Sequence, residues 1–354
     1  MRRKKATIND VAERAGVSTG TVSAVINDRP TVRPETKERV ADVIKLLGYH
    51  PSPSARILGS TDTQRRVLHK SIGLIVKEID SPFYSDLILG VQGFLTEKGY
   101  TTFVCSSEGD YQAEGKLIDV FRSRFVDGAI IAPILHEQVD LTHLFLLGQA
   151  EYPFVILERV PGLQVNAVAI DNVSASETAV RHLIDIGHER IIHIAGPPHT
   201  RHTRDRILGF QKAFSHSRLA YSDESIVSGG SRIEDGYSAA MRVFGQTSAQ
   251  LRPTAVSCFN DLVAIGALRA VIELGLRVPE DVSIIGFDDI RSASYSKVSL
   301  TTVRQPAREM GRTSAEMIVD QLESEHTVER KEVVLEAELI VRDSTRTLRS
   351  IENE

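Results

Sequence analysis

The residues with most to offer chemically sit just past the apolar runs of this 354-residue chain. Asp80-Ser81-Pro82-Phe83-Tyr84, Ser106-Ser107, Pro133, Glu158-Arg159, Asp171-Asn172, Gly196-Pro197, Asn260-Asp261 and Asp288-Asp289 each end such a run, and Arg206 lies on the helical pattern behind Gly196-Pro197. Carboxylates, amides, hydroxyls and a guanidinium gathered this way can hydrogen-bond a small polar molecule such as a sugar, with Phe83 or Tyr84 as an apolar wall. Helix capping competes for the same residues, because Ser81, Asp171, Asn172, Asn260 and Asp261 all precede helical patterns. Catalytic groups are not arrayed in this way. No Gly-rich phosphate loop, nucleophile elbow or Cys-His pair stands out, so no enzyme is expected. His188, His193, His199 and His202 follow no zinc-ligand spacing, and neither a metal nor a cofactor is expected.

The elements that must hold these groups alternate from Ser71 onward. Continuous apolar runs at Ile72–Ile79, Thr102–Ser106, Ala129–Pro133, Phe154–Glu158, Ala167–Asp171, Arg190–Ala195, Ala255–Phe259 and Val282–Phe287 predict strands. Amphipathic stretches at Tyr84–Lys98, Gln112–Ser123, Ala175–Ile186, Arg206–Phe214, Asp235–Phe244 and Asp261–Leu274 predict helices between most of them. Apolar strands separated by helices point to parallel sheets covered on both faces. So many strands exceed one lobe, and ligands of open α/β sheets bind beyond the carboxyl ends of the strands, which places the polar set in a cleft between two lobes.

A different pattern opens the chain. Thr7 and Asp10 form a variant capping box ahead of Ile8, Val11, Ala12 and Ala15; Gly16 ends that helix, and Ser18 caps the next. Val22, Val25 and Ile26 make the buried stripe of the second helix, leaving Thr19, Gly20, Thr21, Ser23, Ala24 and Asn27 outward. This is a helix-turn-helix whose outward face is small and polar enough for a major groove. A third helix runs from about Pro34 to Leu47. Tyr49-His50-Pro51-Ser52-Pro53 then leads into a short helix at Ser54–Leu58, marginal alone, and Ser60–Lys70 reads as a linker.

The net charge of −5 divides unevenly. Residues 1–70 carry 14 Lys and Arg against 7 Asp and Glu, whereas the remainder carries 28 against 40. A basic module on an acidic body suits phosphate neutralisation; a solvated basic tail is the alternative. No apolar run reaches membrane-span length, and Arg2-Arg3-Lys4-Lys5 leads into Asn9, Asp10, Glu13 and Arg14 rather than an apolar signal core, so a cytoplasmic protein without a membrane partner is expected. Cys105 and Cys258 stand in separate apolar runs and read as buried free thiols.

Thr7-Ile8-Asn9-Asp10-Val11-Ala12-Glu13-Arg14-Ala15-Gly16-Val17-Ser18, Thr21-Val22-Ser23, Val25-Ile26-Asn27, Tyr49-His50-Pro51 and Ala55-Arg56-Ile57-Leu58 resemble the headpiece and hinge of the LacI/GalR family of bacterial transcriptional regulators. The likeness continues through Ile72-Gly73-Leu74-Ile75, Val126-Asp127-Gly128, His182 to His188, Ala195-Gly196-Pro197, Asn260-Asp261 and Gly286-Phe287-Asp288-Asp289. It implies an all-α three-helix headpiece on an α/β, two-lobed, periplasmic-binding-protein-like core. It also implies a homodimer and repression at a double-stranded operator modulated by a small effector. The expected division is a headpiece over 1–50, hinge helix over 51–60, linker over 61–70 and core over 71–354, with lobe 1 at about 71–170 and 301–330 and lobe 2 at about 171–300 and 331–345.

The resemblance assigns base reading in the major groove to Thr19, Gly20 and Ala24, phosphate contacts to Thr7, Ser18, Thr21 and Asn27, and minor-groove contact to Ala55 and Leu58. Many relatives carry Arg at the position of Ala24, where a methyl offers only apolar contact such as to a thymine. In the cleft it assigns effector contacts to Arg206, Asn260 and Asp288, then to Phe83, Glu158 and Asp171. Some relatives stack a ring on the effector from the segment equivalent to Gly229-Gly230-Ser231; its absence here favours a sugar over a purine, unless Tyr237 or Phe259 compensates. Thr345–Glu354 lacks a leucine heptad, so a dimer is expected. A periplasmic solute-binding protein, the nearest alternative, would need an export signal in place of the basic headpiece.

Overall fold

The computed structural model describes residues 6–26, 32–47, 49, 68–124, 126–136, 139–324 and 329–348. They fall into two compact units, Met1–Leu68 and His69–Glu354. Asn27, Ala55 and Leu58, assigned to DNA above, lie outside the described residues.

In the first unit α1 spans Ile8–Ala15, α2 Thr19–Ile26 and α3 Pro34–Leu47. Thr7 and Asp10 close a capping box, with Thr7 N–H donating to Asp10 Oδ2 at 2.6 Å and Asp10 N–H to Thr7 Oγ1 at 3.4 Å. Gly16 ends α1 at φ 67°, a left-handed turn that any side chain would strain. Ser18 Oγ accepts the Thr21 N–H at 3.1 Å and starts α2. Val11, Ala12, Ala15, Val22, Val40 and Tyr49 form the buried core of these helices. Tyr49, read in the sequence as part of the extended lead into the hinge, instead seals this small core, its N–H bonded to Ile44 O at 3.1 Å. Burying one such side chain stabilises by roughly 1.5–3 kcal/mol.

The second unit contains two six-stranded sheets, and its first helices are α4 Pro82–Glu97, α5 Tyr111–Ser123 and α6 Thr142–Gln149. The first has the order β2-β1-β3-β4-β5-β11, with β1 Ser71–Val76, β2 Thr101–Ser106, β3 Gly128–Ile131, β4 Phe154–Ile156, β5 Asn166–Ile170 and β11 Glu332–Leu335. The second has the order β7-β6-β8-β9-β10-β12, with β6 Ile191–Ile194, β7 Ile226–Val227, β8 Ala255–Cys258, β9 Ser283–Asp288, β10 Thr301–Arg304 and β12 Glu338–Ile340. The pairings are parallel apart from the antiparallel β10–β12 ladder. Central strands β1, β3, β4, β5, β6 and β8 are buried along their whole length, which is why they read as continuous apolar runs.

The boundary between lobes differs from the sequence expectation. Strand β10 pairs in parallel with β9, Thr301 opposite Ile285, so 301–304 belongs to the second sheet rather than the first. Strand β11 pairs with β5, Glu332 opposite Ala167, so 332–335 belongs to the first sheet rather than the second. Both β11 and β12 are edge strands without a buried residue, β11 alternating in exposure, so neither shows the unbroken apolar run that marks a central strand. Among the described residues, no helix is long and apolar enough to cross a membrane. The thiols of Cys105, half-buried, and Cys258, buried, are free.

Candidate functional site

The carboxyl ends of both sheets open onto one cavity of about 350 Å³ between the lobes. Its apolar walls include Leu87, Ile134, Leu135, Ile170 and Met310, with the Phe83 and Tyr84 rings edge to face at 5.2 Å and 73°. Strand ends supply the polar lining: Lys77 follows β1, Glu158 follows β4, Asn260 follows β8, Asp288 ends β9 and Gln305 follows β10. His202 and Arg206 come from α8, Arg201–Ser215, and Asn172 opens α7, Asn172–Asp185.

Arg206 is 4% exposed and is held from several sides. Its Nε donates to Asn172 Oδ1 at 3.2 Å, Nη1 donates to the Phe259 carbonyl, and the guanidinium carbon lies 3.7 Å from the Phe287 ring centroid and 4.6 Å from that of Phe259. Burial lowers its pKa to about 10, opposed by the charges of Asp288 and Glu158. Burial raises Asp288 to about 6, opposed by Arg206 and by Gln305, whose Nε2 donates to Asp288 Oδ1 at 2.6 Å. Asp288 and Asp289 adopt positive φ angles of 118° and 57°, a conformation that costs side-chain-bearing residues of order 1–3 kcal/mol. Arg304 Nε at 2.8 Å and Arg342 Nη2 at 2.6 Å pin the Asp289 carboxylate in that turn.

Glu158 is 6% exposed. Lys77 Nζ is 3.7 Å and His202 Nε2 3.0 Å from its Oε2, and Arg201 Nε is 3.9 Å from its Oε1. Although the His202 imidazole stands 3.0 Å away, Oε2 is buried with no hydrogen-bond partner among the described residues. Burial pushes the Glu158 carboxyl up and the Lys77 ammonium down, each opposed by the other's charge. His202 is held well below its ordinary value by burial first and then by Lys77, Arg206 and Arg201, so its ring is neutral at physiological pH.

Of the residues assigned to the effector from sequence, the structure gathers Phe83, Glu158, Arg206, Asn260 and Asp288 around the cavity. Asn260 is also a cap: its Oδ1 accepts the Val263 N–H at 2.8 Å and its Nδ2 donates to Ser231 O at 2.9 Å. Asp171 does not line the cavity. It is exposed and caps α7, accepting the Ser174 N–H at 3.0 Å, so the competing reading holds for it. Tyr237 packs under Arg269 at 5.3 Å and takes no place in the lining, whereas Phe259 does.

Lys77, His202 and Gln305 are missing from the effector contacts expected from sequence, and Asn172 stands among them only as one of the strand-end groups. Lys77 was absorbed into a strand expected to reach Ile79, but a lone lysine closing an apolar run was a usable signal. His202 precedes Arg206 by four residues and shares its helix face; the sequence pattern begins that helix at Arg206, whereas it starts five residues earlier at Arg201, capped by Thr200, which accepts the Thr203 N–H at 3.4 Å. Among the described residues, no three His, Cys, Asp or Glu side chains converge as metal ligands. His188 instead bridges Thr254 Oγ1 at 3.0 Å and Ser283 Oγ at 2.9 Å inside lobe 2.

Behind the cavity, Asp261 is fully buried at the start of Asp261–Glu273. It accepts Thr302 Oγ1 at 2.6 Å and Ile290 N–H at 2.8 Å, tying β10 and the turn after β9 to one carboxylate. A side chain at Gly286 would place its Cβ 2.0 Å from Asp261 Oδ1, so glycine is required there.

On the headpiece, Thr19 and Gly20 are exposed at the start of α2, with Thr21 and Ala24 half-buried beside them. Thr7 and Ser18 already cap α1 and α2, and Ser18 Oγ also lies 3.0 Å from Thr21 Oγ1.

Residues 7–52 match the family model of bacterial regulatory proteins, lacI family, and residues 180–345 match the periplasmic binding protein-like domain. The chain is 34% identical over 341 residues to the HTH-type transcriptional repressor PurR of Aliivibrio fischeri, covering 96% of this chain and 98% of that protein. It resembles the solved complex of the transcriptional regulator CelR with cellobiose, with 33% identity, a TM-score of 0.68 and coverage of 96% of this chain and 99% of that one. It also resembles the Lac repressor dimer bound to operator and the anti-inducer ONPF, with 26% identity, a TM-score of 0.80 and coverage of 97% and 100%. The helix-turn-helix at one end, the two-sheet core with its cavity, and likeness to repressors over almost the whole length lead to one conclusion: the chain belongs to the LacI family of bacterial regulatory proteins, a DNA-binding transcriptional repressor with an effector-binding core and not an enzyme.

Proposed function

We propose that the chain acts as a homodimer on operator DNA and that a sugar or sugar derivative, held in the interlobe cavity, sets its affinity for that DNA. The observation that carries this reading is the pairing of Arg206, a buried donor from one element, with the Asp288 and Glu158 carboxylates from two different lobes around one cavity. A ring bearing several hydroxyls answers donors and acceptors arranged in this way, and its apolar face has Phe83 and Tyr84 to lie against. A planar heterocycle is served less well. Arg206 lies over the Phe259 ring, and Phe83 and Tyr84 stand edge to face rather than as parallel plates. The cellobiose complex of CelR and the operator-bound Lac repressor dimer support the sugar and the dimer by likeness.

On the DNA side, Thr19, Gly20 and Ala24 read base edges, Ala24 by apolar contact with a thymine methyl. Thr7, Ser18, Thr21 and Asn27 set position on phosphates, and Ala55 and Leu58 enter the minor groove, with Leu58 wedging a base step. Ligand and operator are then linked through a reciprocal coupling of about 1–3 kcal/mol. A thermal-shift panel of sugars and nucleosides on the full chain, followed by calorimetry and by DNA selection with and without the hit, tests the reading. The expected result is a sugar that raises the melting temperature and changes operator affinity without being consumed. Removing residues 1–60 should abolish specific DNA binding and leave sugar binding intact; DNA binding that persists, or turnover of the ligand, defeats the assignment.

A further inference from the structure

Lys77 and His202 line the end of the cavity nearest Glu158, and Arg201 stands behind it with its Nη1 donating to the Arg159 carbonyl at 2.7 Å; groups of this kind ordinarily hold an anion. Lys77 Nζ, Arg201 Nε and His202 Nε2 converge within 3.7, 3.9 and 3.0 Å of the Glu158 carboxylate. Lys77 comes from the first lobe and the other two from α8 of the second, so these cations and the imidazole are assembled by the meeting of the lobes. The carboxylate fills their centre, and one of its oxygens still lacks a hydrogen bond although it is buried beside the cavity. An unsatisfied buried acceptor is costly unless something donates to it. Each cation already has a carboxylate facing it: Glu158 answers Lys77, Asp205 Oδ2 sits 3.6 Å from Arg201 Nε, and Asp288 faces Arg206. A phosphate or carboxylate brought to this end would meet Glu158 at close range in a medium of low dielectric, where like charges repel strongly.

We infer that Glu158 is a built-in counter-ion occupying what is otherwise an anion site, so that the effector reaches this end of the cavity with an uncharged, hydrogen-bond-donating group rather than a phosphate or carboxylate. The inference rests on the cavity being the effector site and narrows the ligand from sugars in general to those unphosphorylated at this end. Glu158→Gln is nearly isosteric, removes the negative charge and adds a donor, so that an anion drawn to this end of the cavity no longer meets a like charge.

The probe is inorganic phosphate, titrated by calorimetry and thermal shift into the full chain at constant ionic strength, with circular dichroism confirming the fold of each variant. The wild-type chain should show no saturable phosphate binding in the millimolar range, and Glu158→Gln should gain it at least tenfold above any wild-type signal. Adding Lys77→Met to Glu158→Gln should remove most of the gain. Phosphate binding by the wild type equal to that of Glu158→Gln overturns the inference, as does a folded Glu158→Gln that binds none, or a gain unchanged by Lys77→Met. Failure of the sugar reading registers separately, as a wild-type chain that binds no sugar in the panel while Glu158→Gln still gains phosphate.

Discussion

Replacing Arg206 by alanine tests whether this side chain is only a ligand contact or also a strut of the core. In the native structure its guanidinium lies against Phe287 and Phe259, donates to Asn172 and to the Phe259 carbonyl, and supplies the positive charge that faces Asp288. Alanine leaves Asn172 Oδ1 and the Phe259 carbonyl without that donor. Hydrogen bonds involving a charged group contribute about 1.5–3 kcal/mol each, and a desolvated cation over a ring roughly 1–2 kcal/mol. Relief of the guanidinium's own desolvation offsets part of this, and removing one partner of a buried charged set typically costs about 3–5 kcal/mol net. At about 2–4 °C per kcal/mol for a domain of this size, the core should melt at least ~6 °C lower. Differential scanning calorimetry of the full chain without ligand measures it. Lysine should not restore the loss, because an ammonium cannot fork to Asn172 and the Phe259 carbonyl together. A melting temperature within about 2 °C of wild type would refute the strut.

Other outcomes follow from the same geometry. Asp288 has a folded pKa of about 6 against an unfolded value near 3.9, so the native state binds more protons between those values and the contribution of Asp288 to stability falls as pH rises through that window. A ligand hydroxyl that donates to the ionised carboxylate gives ligand affinity the opposite trend: it should rise from pH 5 to pH 7 and then level off. Calorimetry at several pH values checks this, and Asp288→Asn should flatten the curve; a flat wild-type curve removes Asp288 from the contact. Ser18→Ala removes the α2 cap and should cost the headpiece about 0.5–2 kcal/mol. Fluorescence anisotropy should then show weaker binding to all DNA sequences alike, whereas Ala24→Arg should change which sequence is preferred. Gly286→Ala drives a Cβ into Asp261 and should destabilise by roughly 2–4 kcal/mol in urea unfolding, with a wild-type midpoint counting against the close approach.

The local elements were legible because each has a local cause. Thr7 with Asp10, Gly16 and Ser18 punctuate the headpiece helices through bonds that span at most a few residues. The central strands announced themselves because both their faces are covered. Asn260 and Asp288 stand at strand ends, where an alternating chain must place its ligand groups, and the family resemblance set them apart together with Arg206 on the helix behind Gly196-Pro197. Which strand ends meet is another matter. The assignment of β11 to the first sheet depends on pairings between residues more than a hundred positions apart, as with Glu332 and Ala167, and an edge strand carries little periodic signal, whereas β10 stays beside β9, its neighbour in the chain. Asp171 and Asn172 are neighbours of similar chemistry, yet one faces solvent as a cap and the other holds Arg206; the first turn of α7 alone separates them. The masking of Lys77, Arg201 and His202 by Glu158 was beyond any local pattern. Charge balance in a cavity depends on distances of 3 to 4 Å across two lobes, and those distances exist only once the chain has closed on itself.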